Sequence, residues 1–179
     1  MGGLISTPQR NLVYLAGAIE HAPDGGSGWR AKFREFLITC LGLEAFDPCV
    51  QEIELLTREE KHNLRNWKKT DPERFRLVIR KFVENDLDHL VNRTLFVVCF
   101  WDEYAARGAG TAGEVTVSYL YRIPLYLVAG RPVEEIPGWI LACATEIFDD
   151  FAHLQARLLE RYSQRLPFEE GQRGRNFAN

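Results

Sequence analysis

The chain has 179 residues, 46% hydrophobic and 26% charged, with a formal net charge of −3 at pH 7. That is the make-up of one ordinary globular domain with length enough for a real core, and it excludes a disordered or low-complexity chain. The net-negative balance argues against nucleic-acid wrapping. With no 18-residue apolar run and no leader-like start, neither a membrane span nor a signal peptide is expected.

In chain order, an apolar segment at 12–17 predicts a first strand, followed by a helix at about 28–41 and a strand near 43–46. A helical region at 57–69 and a long helix at 72–91 come next, the latter opening on Pro72, which suits an early helical position. Phe75, Val78, Ile79, Phe82, Val83, Leu87 and Leu90 form its apolar stripe at helical spacing. Strands at 94–100 and 124–128 flank a helix at 111–121. A short helix at 137–144, a short strand at 145–148 and a helix at 151–164 complete the pattern. This alternation predicts an α/β fold: one flavodoxin-like, Rossmann-like domain with a five-stranded, mainly parallel sheet and helices on both faces. Residues 1–165 form that domain. The unpatterned tail at 166–179 is expected to be mobile unless a neighbouring subunit orders it.

Four cysteines (Cys40, Cys49, Cys99 and Cys143) lie far apart in apolar contexts without CxxC spacing. They read as reduced core thiols of a cytoplasmic protein, not as a disulfide frame or a zinc site. The four histidines form no HxxxH or HExxH pair, so no metal is expected, and His89 reads as a helix-surface residue. Between Arg58 and Lys81, nine Lys or Arg face four acidic residues. Such a run is a solvated helix face, a site for a substrate 5′-phosphate, or a contact for an acidic partner.

The most informative stretch is Gly108-Ala109-Gly110-Thr111-Ala112-Gly113-Glu114. It follows the apolar run Leu95-Phe96-Val97-Val98-Cys99-Phe100 and its strand end, Trp101-Asp102-Glu103. Strand, acidic strand end, glycine-rich loop and helix start form the crevice where open α/β sheets bind ligands. Glu114 then belongs to the first helical turn, where the dipole favours its ionised form, and an ionised carboxylate in such a crevice can act as a nucleophile. Thr111-Ala112-Gly113-Glu114 equally fits a capping box, in which the glutamate only satisfies a backbone N–H. Asp86 lies in the apolar stripe of the 72–91 helix and needs a partner or a ligand, because burying an unpaired charge is costly.

Earlier in the chain, Ala16-Gly17-Ala18 lets a ligand approach the first strand end, and a glycine-dense loop runs from Glu20 to Gly28. Neither a GxGxxG nor a Walker pattern is present, which argues against dinucleotides and nucleoside triphosphates. Tyr14 is expected in the strand core with its hydroxyl directed at the site, and Trp29 in the core.

Val13-Tyr14-Leu15-Ala16-Gly17-Ala18-Ile19, Phe46-Asp47-Pro48, Asn85-Asp86-Leu87 and Gly110-Thr111-Ala112-Gly113-Glu114, followed by Ile123-Pro124-Leu125-Tyr126-Leu127-Val128, occur in an order that resembles the nucleoside 2-deoxyribosyltransferase family over roughly residues 12–128. The resemblance implies transfer of 2-deoxyribose between nucleobases by double displacement. In that scheme Glu114 is the nucleophile that attacks C1′, and Asp86 lies near the sugar to orient it or move protons. It further implies substrate contacts from Tyr14, Gly17, Ile19, Asp47, Gly110 and Thr111, no cofactor, and a homo-oligomer whose tail touches a neighbour's site. One departure is notable. The family's base-contacting aspartate falls on Gly108 here, beside Arg107, and the nearest acids, Asp102 and Glu103, are the substrate contacts that can swing in to serve the base. Asp102 equally suits a strand-end turn former. Two further functions remain open: hydrolysis of the N-glycosidic bond of a nucleoside 5′-monophosphate, with Arg107 on the phosphate, and a non-catalytic nucleotide sensor in which Glu114 is only a cap.

Overall fold

The structure, a computed structural model, describes residues 10–162, so the 166–179 tail lies outside the described residues. Five strands form one sheet in the order β2-β1-β3-β4-β5: β1 (Leu12–Gly17), β2 (Glu44–Phe46), β3 (Thr94–Trp101), β4 (Leu125–Ala129) and β5 (Glu146–Phe148). Every pairing is parallel, which carries the mainly parallel expectation to its limit. This is the flavodoxin-like order, and its topological switch point lies between β1 and β3.

Helices cover both faces. On one, α1 (Ser27–Leu41) and α7 (Phe151–Tyr162) pack over Val13, Leu15, Phe96, Val98, Tyr126 and Val128. On the other, α4 (Pro72–Arg93) and α5 (Ala109–Leu120) contribute Leu90 and Val115 to a core with Tyr14, Ala16, Phe46, Val97, Cys99 and Trp101. Successive strand residues thus alternate between two buried cores, and the strands read as continuous apolar runs for that reason.

Helix α1 ends as a left-handed C-cap requires: Gly42 has φ 60°, and the Gly42 and Leu43 amides return to the Ile38 and Leu37 carbonyls. The 57–69 prediction becomes α3 (Arg58–Thr70), opened by a reciprocal Thr57–Glu60 capping box. It folds against α4 as a helical hairpin around Trp67, Val78 and Phe82. The short helix α6 (Gly138–Cys143) lies against α5. One helix was not expected: α2 (Pro48–Leu55), capped by the Asp47 side chain, which accepts from the Cys49 amide at 3.0 Å. Its eight residues are too few for a clear periodicity. Cys99 and Cys143 are buried as expected, but Cys40 is exposed, because it faces outward from the last turn of α1. Among the described residues no helix is long and apolar enough to cross a membrane.

Candidate active site

The C-terminal ends of β1, β2 and β3 bring Gly17, Phe46 and Trp101 to one edge of the sheet, where α5 begins. Helix α5 starts earlier than its sequence suggests. Gly108, in extended conformation, occupies the cap with no side-chain hydrogen bond, and no acidic residue lies in the first turn. Glu114 is therefore a second-turn residue, and Thr111 is buried within the helix. Neither the capping box nor the first-turn dipole describes Glu114.

Tyr14 describes it instead. Tyr14 is fully buried on β1, and its hydroxyl donates to Glu114 Oε1 at 2.8 Å across 100 residues of chain. Removal from water pushes the Glu114 carboxyl up to about 7. The Tyr14 hydrogen bond and the charge of Arg30 oppose that rise, while Asp86 and Glu52 add to it. Burial and the neighbouring negative charges of Glu114 and Asp86 raise the Tyr14 hydroxyl itself well above its ordinary value, so it remains a donor.

Asp86, on α4, is half-buried beside the same crevice. Burial lifts its carboxyl to about 6, against the pull of the Asn85 amide and His89; Asn85 Nδ2 lies 3.4 Å from Asp86 Oδ1. No arginine pairs with it among the described ion pairs. A third carboxylate joins these two. Glu52 on α2 is half-buried, and burial, reinforced by the charge of Asp86, raises it to about 7. It escaped the sequence because the helix that carries it did. His89 is not a surface residue: its ring stacks on Phe46 with centroids 4.3 Å apart, and Nδ1 lies 2.8 Å from the Asn85 carbonyl.

Arg30 holds this edge together, and nothing in the spacing of the sequence marked it. It is fully buried. Its guanidinium donates to the carbonyls of Leu15 (3.1 Å), Gly17 (2.8 Å), Ala18 (3.1 Å) and Gly26 (2.7 Å), and Nε lies 3.7 Å from Asp47 Oδ1. These bonds fix the end of β1 and the loop beyond it. Gly26 has φ 75°, and a Cβ there would lie 2.1 Å from the Ala18 oxygen, so the close approach needs glycine. Asp47 is committed to Arg30 and to the α2 cap. Loop residue Glu20 is tied to the α3–α4 hairpin by Lys68 at 2.6 Å.

The remaining predicted contacts are placed unevenly. Ile19 is half-buried just past β1, and Gly110 is exposed on α5 with open space around it. Asp102 Oδ1 accepts from the Tyr104 and Ala105 amides at 3.0 and 2.7 Å, which is the turn-forming role, here for the 3-10 turn Ala105–Arg107. Glu103 and Arg107 are exposed, with the Arg107 guanidinium 5.6 Å from the Tyr104 ring centre. Among the described residues no cluster of three His, Cys, Asp or Glu is placed to hold a metal.

A solved structure with this arrangement of strands and helices is the 2-desoxiribosyltransferase from Leishmania mexicana. It superposes with a TM-score of 0.56 at 16% sequence identity, covering 85% of this chain and 99% of that one. The two chains share a fold. No protein-family model matches the chain, and no curated protein matches it either.

Proposed function

We propose that this protein transfers 2-deoxyribose between nucleobases, with Glu114 as the nucleophile of a retaining double displacement. The observation that carries the reading is the Tyr14–Glu114 hydrogen bond, set in a crevice that also holds Asp86 and Glu52. The fold shared with a 2-desoxiribosyltransferase supports it.

In the first step a Glu114 oxygen attacks C1′ as the C1′–N bond breaks. The bond pair leaves with the base, which takes up a proton. In the second step a nitrogen of the incoming base attacks C1′, loses its proton, and releases Glu114 as a carboxylate. Two inversions give net retention, and a carboxylate beside C1′ stabilises the oxocarbenium-like charge at each transition state. Asp86 and Glu52, whose carboxyls are raised to about 6 and about 7, are partly protonated near neutrality and suited to move the base's proton. Tyr14 fixes the nucleophile and favours its ionised form.

The protein is read as a homo-oligomer. Tyr119, Leu120 and Trp139, 64%, 71% and 66% exposed on α5 and α6, support that reading, since aromatic residues are enriched at such contacts. Sedimentation velocity tests it, and a monomer with full activity ends it.

The decisive experiment incubates the protein with deoxyinosine or deoxyuridine, with and without adenine or cytosine, and follows products by chromatography. A new deoxynucleoside only when acceptor base is present supports transfer. Free deoxyribose formed regardless of acceptor makes the protein a hydrolase, and no reaction with any donor overturns both.

A further inference from the structure

A cavity of about 390 Å³ runs along β2, from Leu12 and Glu44, the first residues of β1 and β2, to Phe46 at its end. Its size lies in the range of small-molecule sites. Tyr14, Asp86 and Glu114 do not line it. Its walls carry an unusual mixture of charge. Arg10 and Arg93 enter from the chain before β1 and from the end of α4. Arg10 uses one terminal nitrogen on the Val91 carbonyl at 2.9 Å, which anchors the guanidinium; among the described residues its other donors have no hydrogen-bond partner. Arg93 approaches Asp88 only at 4.0 Å. Glu44 and Gln51 add a carboxylate and an amide, with no hydrogen bond or ion pair to any described side chain.

We propose that this cavity is a second small-molecule site, built for a nucleoside 5′-monophosphate. Two guanidiniums in one pocket select a phosphate group, for which their forked donors are matched. A bare inorganic anion does not account for Glu44, which repels it. A ligand carrying hydroxyl or amino donors as well as a phosphate satisfies both charges, with the Gln51 amide free to read a base edge. The cavity wall also contains Phe46 and His89. Phe46 stacks on His89 and on Tyr14, with centroids 4.3 and 5.1 Å apart, and Tyr14 is the donor to Glu114. A ligand that displaces His89 or Phe46 therefore shifts the ring on which the Glu114 hydrogen bond depends. Binding at this cavity stands independently of the proposed function; its effect on turnover rests on that function.

The test is isothermal titration of the full-length protein with AMP and dGMP, using adenosine and inorganic phosphate as controls. Binding is measured in the wild type, in Glu114→Gln, in Arg10→Gln/Arg93→Gln, and in Gln51→Trp, which fills the cavity from α2 and leaves both arginines in place. The expected result is saturable nucleotide binding in wild type and Glu114→Gln, weakened tenfold or more by the double arginine variant and by Gln51→Trp, and at least tenfold weaker for both controls. Arg93→Gln is expected to leave nucleotide-free turnover unchanged while removing any nucleotide effect on it. Loss of binding in Glu114→Gln with retention in the arginine variant assigns the nucleotide to the catalytic crevice and overturns the proposal. Absence of saturable binding overturns it too, and phosphate binding as tightly as the nucleotide reduces the site to a simple anion site. If titration succeeds but deoxyribosyl transfer is never detected, the cavity stands and the proposed function falls.

Discussion

Tyr14 donates a hydrogen bond to Glu114, a half-buried carboxylate, from a fully buried position on the neighbouring strand. The bond favours the ionised carboxylate against the burial that drives its titration up to about 7. Tyr14→Phe removes the donor and nothing else of size. A hydrogen bond to a charged group is worth roughly 1.5–3 kcal/mol, so the variant is expected to lose roughly 10–100-fold in kcat/KM at pH 7. The acidic limb of its pH profile should move to higher pH, because Glu114 becomes harder to ionise. An unchanged limb in the variant means that the limb belongs to another group.

The three carboxylates make a second test. Glu52 and Asp86 each push the Glu114 titration upward through their negative charge. Glu52→Gln removes one of these charges, so the acidic limb of kcat/KM is expected to move to lower pH than in the wild type, the opposite direction to Tyr14→Phe. The groups are coupled, so the measured values describe the cluster and not single residues. A limb that stays put in Glu52→Gln removes Glu52 from the site.

Much of the fold was legible because its strands are buried on both faces: runs such as Leu95 to Phe100 carry no polar interruption, and glycine and proline mark the boundaries. The order of elements around Tyr14, Asp86 and Glu114 could be read for the same reason. What could not be read depends on long-range contact. Helix α2 hides in eight residues whose main start signal is the Asp47-Pro48 pair, and Glu52 hid with it. Arg30 looks like any helix arginine until four backbone carbonyls from the β1 end and its loop converge on it. The start of α5 was misplaced because Gly108 caps through its backbone conformation, with no side-chain signal.

Glu114 itself is expected to be needed for rate and harmful to stability. Glu114→Ala should lower turnover by on the order of 10³ or more, as loss of a covalent nucleophile does. Its folded-state titration at about 7 lies above the ordinary 4.5, so the native state holds this proton more tightly than the unfolded chain. The stabilisation that results is complete below about pH 4.5 and is lost as pH rises through 7. Glu114→Gln keeps an acceptor for Tyr14 without the charge. It should therefore melt higher than wild type at pH 8, by on the order of 2 kcal/mol or about 4–8 °C, with the gap closing at pH 5. Equal melting at both values rules out a carboxylate held against its solvation.

Arg30 offers the last test, of the scaffold and not of the chemistry. Its buried guanidinium serves four carbonyls and faces Asp47 at 3.7 Å, so truncation leaves buried acceptors and a carboxylate without their partner. Arg30→Met, which retains much of the aliphatic volume, is expected to cost about 3–5 kcal/mol, the range for breaking a buried ionic group, read as a lower urea midpoint. Arg30→Lys should recover only part of this, because a single ammonium cannot reach carbonyls on both β1 and the Gly26 turn. Gly26→Ala is a second check on the same contact, made from the loop side. A Cβ 2.1 Å from the Ala18 oxygen and 2.3 Å from an Arg30 terminal nitrogen forces the loop off β1 and disturbs the guanidinium that bridges them. If Gly26→Ala melts like wild type, the close loop–strand contact is not what holds this edge of the crevice, and the arginine's effect must come from its bonds to the β1 end and from Asp47.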